Sequence, residues 1–557
     1  MRTTPLFSGA AVLAALALVP QPASACGGFF CDSAQPVNQA AERIIFVHGA
    51  DGVVTAVIQI QYAGPSERFA WVLPVAGSPE VAVSSNLAFA RLQFATNPQY
   101  QLTTRIEGTC REDAFSQGGP AAGEAFDAGA APSPEDGPVT VVGQGTVGPY
   151  DYVIISIDPE ATPLSNVAVE WLQTNGYDID EAGAALLEPY LAGGMNLLAF
   201  RLTKGNDTGS IRPVVVRFGP GLATIPIRPT AVAAVDDMGV LVWVLGEHRA
   251  VPANYMSLEL NEALINWLSP GSNYNDVVNA AADQAGGQGF VTEMAGSAAP
   301  LADVIYTPFE RDRWRSIRNA SWEGREGGLL ATVLGTFAPF DGMRDALAAT
   351  LPLPPDVTVD DVLSCVFCIF DSSTADIDGF DPAAFLAAVE RDVILPMERT
   401  RAFFEERPYV TRLYTTMSAA EMTRDPSFDF NPDLGDVSNV HTAERVIECS
   451  PSVDTFSAPW RVHLPDGNVV RGSGTNWPFS PGDGSMPANA RILRVGTEGS
   501  GEVITDNTAA ISDTLREHNA RVPGPSASSG CSVGAGSPAT ALPWLVLAAA
   551  LLWRRRR

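Results

Sequence analysis

The chain has 557 residues, of which 46% are hydrophobic and 18% charged, and its 63 acidic and 35 basic residues give a net charge of −28. This composition excludes wholesale disorder, and the length predicts more than one packed unit, because a single core seldom grows beyond about 250–300 residues. The acidic balance excludes nucleic acid as a partner, since a negative surface repels phosphate backbones and gains no affinity from counterion release.

The first 25 residues have the form of a secretory signal peptide. Arg2 precedes an apolar run over residues 6–19, and Ala23-Ser24-Ala25 forms an A-x-A cleavage site. Cleavage after Ala25 places Cys26 at the new N-terminus, where an unmodified cysteine and a lipidated one remain alternatives. We therefore expect export into a compartment in which disulfides persist.

Six cysteines outside the C-terminal tail are the disulfide candidates. Short separations favour two local pairs and leave the two remaining cysteines for each other, although spacing alone does not fix the connectivity. The expected pairs are Cys26 with Cys31, Cys365 with Cys368, and Cys110 with Cys449. For Cys365 and Cys368 a redox pair, or a zinc site completed by His441 and Cys449, remains an alternative.

Residues 26–300 read as a strand-rich unit. β-branched and aromatic runs separated by turn residues predict an antiparallel meander, and Asp51-Gly52 suits a hairpin turn. Helical spacing then predicts two short helices within 167–194, before strands resume. The predicted strands are 44–47, 53–62, 69–73, 152–157, 195–203, 212–218 and 240–248, and 114–138 is a loop.

Residues 301–522 read as a more helical region, so the expected fold class is α+β. The clearest helix runs over 381–406, with Asp381 as its N-cap, Pro382 in its first turn and a kink at Pro396. A second strand-rich patch covers 460–470 and 491–504. A linker at 523–540 and an apolar segment with an arginine cluster at 541–557 follow.

Three carboxylates in "ADIDGFDP" form the candidate metal site. Asp376, Asp378 and Asp381 lie close together beside Gly379, a spacing that can wrap calcium, but they do not complete an EF-hand loop. A helix-capping turn at Asp381 is the alternative interpretation. No cofactor other than this possible calcium is expected.

No motif identifies a catalytic residue. The sequence lacks H-E-x-x-H and G-x-S-x-G, and its single lysine, Lys204, does not complete a phosphate-binding loop. His441 and Glu444 form a lone H-x-x-E, which reads as a surface helix turn. An enzyme is not expected, and any active site would have to be assembled across sequence distance.

The C-terminal tail has the features of a membrane-targeting segment. Its apolar run over 539–553 is about 22 Å long as a helix, shorter than the bilayer core of about 30 Å, and four arginines after it favour a cytoplasmic end. Gly530-Cys531, the short apolar run and the arginine cluster resemble the MYXO-CTERM sorting signal. That resemblance implies a sorting protease and retention of Cys531 as the anchoring residue. An ordinary anchor helix is the alternative.

The N-terminal half resembles an uncharacterised bacterial family known as domain of unknown function 2330. The resemblance covers residues 25–300 and implies an extracytoplasmic setting but no activity. Its stretches are "ACGGFFC", "PVNQAAERIIF", "SERFAWVLPV", "WLQTNGY" and "GQGFVTEMAG", and "YVTRLYTTMSAAEMTRDPSFDFNPDLGDVSNVH" is similar to longer members.

These observations predict an exported protein anchored at the cell envelope or surface, with a structural or binding role. The expected partners are the membrane, through the C-terminal signal, the sorting protease, and a protein or glycan ligand of unspecified identity. A surface hydrolase with a dispersed active site and a calcium-dependent adhesin are the alternatives.

Overall fold

The computed structural model describes residues 39–59, 69–111, 139–177, 181–203, 211–232, 234–370 and 377–522. Their strands are β1 (Gln39–His48), β2 (Val53–Gln59), β3 (Ala70–Val75), β4 (Glu80–Val83), β5 (Gln99–Glu107), β6 (Val139–Val147), β7 (Tyr150–Ile157), β8 (Asn196–Leu202), β9 (Val214–Pro220), β10 (Ala223–Thr224), β11 (Ala234–Gly246), β12 (Arg249–Pro252), β13 (Met256–Leu260), β14 (Gly289–Ser297), β15 (Tyr409–Met417), β16 (Ser427–Asn431), β17 (Val440–Glu448), β18 (Pro459–His463), β19 (Val469–Ser473), β20 (Asn489–Arg494) and β21 (Glu502–Asp506).

The helices are α1 (Asn86–Thr96), α2 (Leu164–Thr174), α3 (Glu181–Ala192), α4 (Ile227–Thr230), α5 (Tyr274–Gln284), α6 (Ala299–Ile305), α7 (Pro308–Asn319), α8 (Glu326–Phe337), α9 (Met343–Thr350), α10 (Val359–Ser364), α11 (Val366–Ile369), α12 (Pro382–Val389), α13 (Leu395–Glu406) and α14 (Thr508–Arg521). Short 3₁₀ turns cover Glu262–Leu264 and Ala419–Glu421.

A mixed ten-stranded sheet is the centre of the fold. Its order is β21-β20-β13-β14-β15-β11-β1-β2-β9-β4. β1 pairs with β11 in parallel and with β2 in antiparallel, through the predicted hairpin turn at Asp51 and Gly52. Gly52 has φ +77°, the left-handed conformation that such a turn favours, so this prediction is confirmed.

Both faces of this sheet are covered. Ile45 and Val47 of β1 join the core beneath the helices α1 and α6–α13, whereas Ile44 and Phe46 on the same strand pack toward a second sheet. That second sheet has the order β3-β8-β7-β6, and its outer face packs on α2 and α3. The result is a stack of four layers: helices, central sheet, second sheet and helices.

Two smaller sheets complete the molecule. One has the order β19-β18-β17-β5 and shares a core with α5 and α14, whose centre includes Trp267 and Trp460. The other has the order β10-β16-β12. Strands β15, β20 and β21 of the central sheet come from the C-terminal side of residue 300, so the sheet combines both halves of the chain.

The predicted α+β class is confirmed, with one difference in the meander. β3 does not extend the β1–β2 hairpin but pairs with β8, with Trp71 opposite Phe200. Both of its faces are buried: Trp71 faces the central sheet and Val72 faces α2 and α3, which is the environment of a strand inside a layered stack. Successive strands pair in antiparallel instead in β6, β7 and β8, although α2 and α3 lie between β7 and β8 in the chain.

The predicted helix at 381–406 is present but irregular. Asp381 caps α12 by accepting hydrogen bonds from the amides of Ala383 and Ala384, at 2.8 and 3.2 Å. A π-turn at Glu390–Ile394 separates α12 from α13, in which Pro396 is the second residue. Proline offers no N–H to the carbonyl four residues before it, and a wider turn accommodates the loss.

Candidate functional site

A polar cleft of about 620 Å³ opens on the helix-covered face of the central sheet. Four adjacent strands, β14, β15, β11 and β1, form its floor, and the C-terminal end of α1 and the N-terminal end of α5 form two of its walls. We call it the Arg43 cleft. Its lining includes Arg43, Gln93, Asn97, Tyr100, Asp237, Gly239, Gly271, Ser272, Tyr274, Asn275, Asp276, Asn279, Glu293, Arg412, Tyr414 and Thr416.

A buried ion pair lies at the base of the cleft. The Arg412 Nε donates to Glu293 Oε2 at 2.5 Å, and the side chains are 4% and 1% exposed. Glu293 occupies a bulge of β14, because Thr292 pairs with Leu413 and Met294 with Arg412. A bulge re-aims one side chain, and this one directs a carboxylate to the guanidinium.

Arg412 uses its remaining donors to hold the end of α1. Its Nη1 donates to Thr96 Oγ1 at 2.8 Å and to the Gln93 carbonyl at 3.2 Å, and its Nη2 donates to Asn97 Oδ1 at 2.8 Å. A cation at a helix C-terminus satisfies carbonyls that have no helical partner. Arg412 therefore fixes the wall of the cleft and has little capacity left for a ligand.

Three tyrosine rings line the cleft. The Tyr274 hydroxyl donates to Glu293 Oε1 at 2.6 Å, and its ring centroid lies 6.0 Å from that of Tyr100 and 6.4 Å from that of Tyr414. Burial raises the pKa of Tyr414 to about 12 and the pKa of Tyr274 well above 10. These phenols stay neutral and are available as hydrogen-bonding groups at neutral pH.

Glu293 experiences opposing effects. Burial raises its pKa, while Arg412 and the hydrogen bond from Tyr274 oppose the rise. The guanidinium and the two donated hydrogen bonds favour the ionised form, so the pair is best described as a carboxylate and a guanidinium.

Arg43 differs from Arg412 in having no carboxylate partner. Its half-buried side chain donates from Nη1 to the neutral amide of Gln59 at 3.1 Å, and no salt bridge joins it to another described residue. Burial, followed by the nearby charge of Arg412, lowers the pKa of Arg43 from its usual range. The cleft thus contains a guanidinium that no described carboxylate pairs with directly, although Asp237 and Asp276 lie at the cleft rim.

Two glycines make room for the tyrosines. A Cβ at Gly239 would stand 3.0 Å from the Tyr414 hydroxyl, and one at Gly271 would stand 2.9 Å from Cδ2 of Tyr100. Gly271 also has φ +73°, which disfavours other residues. Both positions keep the rings at the cleft surface.

The opposite face of β1 carries Glu42, a buried carboxyl that has no arginine partner among the described residues. Neighbouring residues of a strand point to opposite faces, and Glu42 is buried near Asp425 on the side of the second sheet. Burial, followed by the charge of Asp425, raises the pKa of Glu42 to about 7. Asp425 accepts hydrogen bonds from the Tyr190 hydroxyl at 2.7 and 2.9 Å and borders an apolar cleft of about 310 Å³.

Two of the three predicted disulfides are present. Cys110 is bonded to Cys449, and Cys365 to Cys368. The zinc alternative is wrong, because all three of its sulfurs are in disulfides and His441 is engaged elsewhere. Cys26, Cys31, Ala25 and Cys531 lie outside the described residues.

His441 and Glu444 are not on a helix turn but on strand β17. The His441 Nδ1 lies 2.7 Å from Glu262 Oε1, and the ring stacks on Tyr100 with centroids 4.7 Å apart. Among the described residues, the hydrogen-bond partners of histidines are this carboxylate and the Arg471 carbonyl, and neither arrangement includes a serine nucleophile.

The structure describes only two of the three predicted calcium ligands, so the calcium site stays a prediction. Asp381 is the cap of α12, Asp378 is exposed, and Asp376 lies outside the described residues. In the described ranges, no group of three or more His, Cys, Asp or Glu side chains is placed to hold a metal ion. The same ranges contain no helix that is both long and apolar enough to cross a bilayer, and the segment 541–557 lies beyond them.

Sequence reasoning missed Arg43, Glu293 and Arg412 as site residues. Their positions are distant in sequence, and only the strand order brings them together. One signal was available: all three lie in stretches that carry the family resemblance, "PVNQAAERIIF", "GQGFVTEMAG" and "YVTRLYTTM".

Comparison with known proteins places the chain in a family. No curated protein and no solved structure matches it. The family model described as "Uncharacterized protein conserved in bacteria (DUF2330)" matches residues 20–306, which is more than half of the 557 residues. It includes β1, β11 and β14 of the cleft floor, whereas β15 lies beyond it. The chain therefore belongs to this family of uncharacterised proteins conserved in bacteria.

Proposed function

We propose that this protein is exported, is tethered to the cell envelope through its C-terminal signal, and binds a small polar ligand in the Arg43 cleft. The observation that carries the binding function is the half-buried guanidinium of Arg43, which has no salt bridge to a described residue, in a preformed cleft. A half-buried cation without a counter-ion is costly in isolation and becomes favourable when a ligand supplies the missing group.

The rest of the cleft supports a binding role. Arg412 and Glu293 satisfy each other and hold α1 in place, so the site does not have to be organised when a ligand arrives. Preorganisation lowers the entropic cost of binding. A volume of about 620 Å³ also falls within the range of about 300–1,000 Å³ typical of small-molecule sites.

Two features support export. The signal peptide form of residues 1–25 is one, and the two disulfides in the described residues are the other, because disulfides persist mainly outside the cytoplasm. The tail that resembles MYXO-CTERM would then keep the folded body at the envelope.

Ligand binding is tested with the full-length exported chain by thermal shift, followed by titration calorimetry. The probes are amino acids, dicarboxylates, neutral sugars, acidic sugars and short peptides. We expect one class to raise the melting temperature and to lose its effect in Ser272→Trp, which places an indole at the exposed rim of the cleft.

The control variant is Ser500→Trp, at an exposed serine outside the cleft lining. It should respond to the ligand as the unchanged protein does. Absence of binding in every class, or equal binding by the two tryptophan variants, would contradict a ligand site in this cleft.

A further inference from the structure

We propose that the ligand of the Arg43 cleft is an acidic sugar, a hexuronate or a short chain of hexuronates, whose carboxylate pairs with Arg43. This inference rests on the proposed binding function and names its ligand class. It follows from the charges, the free donors and the aromatic surfaces of the cleft.

The charges select a singly charged anionic group. Arg412 and Glu293 cancel each other, so Arg43 is the cation left for a ligand. A guanidinium matches a carboxylate or a phosphate through two parallel hydrogen bonds. Asp237 and Asp276 are exposed at the cleft rim, and they oppose a doubly charged phosphate more than a single carboxylate.

The amide side chains supply donors for hydroxyl groups. Asn97 accepts from Arg412 through Oδ1, and Asn279 accepts from Thr416 through Oδ1 at 2.9 Å. These bonds fix the orientation of both amides and leave their Nδ2 groups without a partner among the described residues. Two fixed N–H₂ groups in the same cleft as the Arg43 guanidinium suit a ligand with several hydroxyl oxygens as well as a carboxylate.

The tyrosines supply the remaining feature of a sugar site. Tyr100, Tyr274 and Tyr414 expose ring surface to the cleft, and a sugar ring has apolar C–H faces that pack on aromatic rings. An amino acid or a short dicarboxylate would leave this aromatic surface uncovered. A hexuronate uses the cation, the amides and the rings together.

The test is titration calorimetry of the full-length exported chain with matched pairs of sugars. The probes are D-galacturonate against D-galactose and D-glucuronate against D-glucose, with digalacturonate and polygalacturonate to distinguish a free sugar acid from a polymer. We expect a uronate to bind at least tenfold more tightly than its neutral partner. Affinity that rises with chain length identifies a polymer as the source, and affinity confined to the monomer identifies the free acid.

The matched variants are Arg43→Gln in the cleft and Arg105→Gln, which removes an exposed arginine of β5 outside it. Arg43→Gln should weaken uronate binding at least tenfold and abolish the preference over the neutral sugar, whereas Arg105→Gln should change neither. Circular dichroism establishes that both variants are folded, and the comparison of matched sugars on the unchanged chain does not depend on them.

Equal binding of a uronate and its neutral partner, or unchanged uronate affinity in folded Arg43→Gln, would overturn the proposal that the ligand is an acidic sugar. The proposal that the cleft is a binding site would stand. Binding of another class of compound in the screen, with no response to any uronate, would also overturn only the proposal of an acidic sugar. Failure of every class overturns the proposed function itself.

Discussion

At the scale of single residues, Glu42 and Arg43 show how one strand can carry two unrelated charges. Both residues border the polar cleft, but only the Arg43 side chain faces it. The Glu42 side chain is buried on the face that Ile44 and Phe46 share, and its Oε2 has no hydrogen-bond partner in the described part of the chain. A carboxyl in such a site prefers its protonated form, which is the reason that its pKa is raised to about 7.

Glu42 should therefore make stability depend on pH. The unfolded chain releases this proton near pH 4.5 and the folded chain near pH 7, so the folded state binds more protons between these values. The free energy of unfolding then falls as pH rises from about 4.5 to 7, by about 3 kcal/mol for a shift of this size. Glu42→Gln cannot ionise and should lack this fall.

Urea unfolding at pH 5 and pH 8 measures the effect, with Glu323→Gln at an exposed carboxylate as the control. Relative to the unchanged protein, Glu42→Gln should gain about 3 kcal/mol more at pH 8 than at pH 5. An equal difference at both pH values would show that Glu42 ionises normally in the folded protein.

The role of a residue could be predicted from the sequence where it depends on neighbouring residues in the chain. It could not be predicted where it depends on residues that only the fold brings together. An aspartate directly before a proline predicts a helix N-cap at Asp381, and the structure confirms this prediction. Glu293 depends on a bulge of β14, on a partner 119 residues away and on Tyr274 of α5. No sequence pattern specifies that combination.

At the scale of elements, the positions of strands were more predictable than their partners. The apolar runs at 44–47 and 240–248 correspond to β1 and β11, but nothing in them indicates that the two strands pair in parallel. β15 lies between β11 and β14, although more than 100 residues separate it from each along the chain. Periodicity describes which face of a strand is apolar, and it does not identify the neighbour.

The two disulfides should contribute unequally to stability. Cys110 follows β5 and Cys449 follows β17, so their bond joins the ends of two parallel strands across 339 residues. Cys365 and Cys368 are only three residues apart. A cross-link restricts the unfolded chain more when the loop is longer, so Cys110→Ser with Cys449→Ser should lower the free energy of unfolding by about 2–5 kcal/mol.

Denaturant unfolding of the two double variants under non-reducing conditions measures this difference. Cys365→Ser with Cys368→Ser is the matched control, because it removes the same chemical bond from a short loop. A larger loss for the control than for the long-range pair would contradict the account.

At the scale of the whole molecule, the four-layer stack explains why a chain without a recognisable motif can still contain a site. The cleft uses strands from both sides of residue 300, and the C-terminal helices cover the same face of the sheet. The α+β class could be predicted from strand and helix patterns. The cleft could not, because it exists only where the strand order and the helix ends meet.

Anchoring at the envelope depends on Cys531 in the proposed function. The apolar run at 539–553 is short for a stable span, so a retained, modified cysteine is the expected anchor. Cys531→Ala should release the protein from the membrane fraction or mislocalise it, and Ser532→Ala in the same tail should not. Fractionation followed by immunoblotting measures this, and unchanged membrane retention of Cys531→Ala would count against the sorting signal.

The most direct test of the central claim is a crystal structure of the chain with a saturating concentration of a uronate that calorimetry shows to bind. We predict the sugar in the Arg43 cleft, with its carboxylate oxygens within about 2.7–3.2 Å of the Arg43 guanidinium nitrogens. A sugar bound elsewhere while the cleft holds only solvent, or a carboxylate directed away from Arg43, would contradict it.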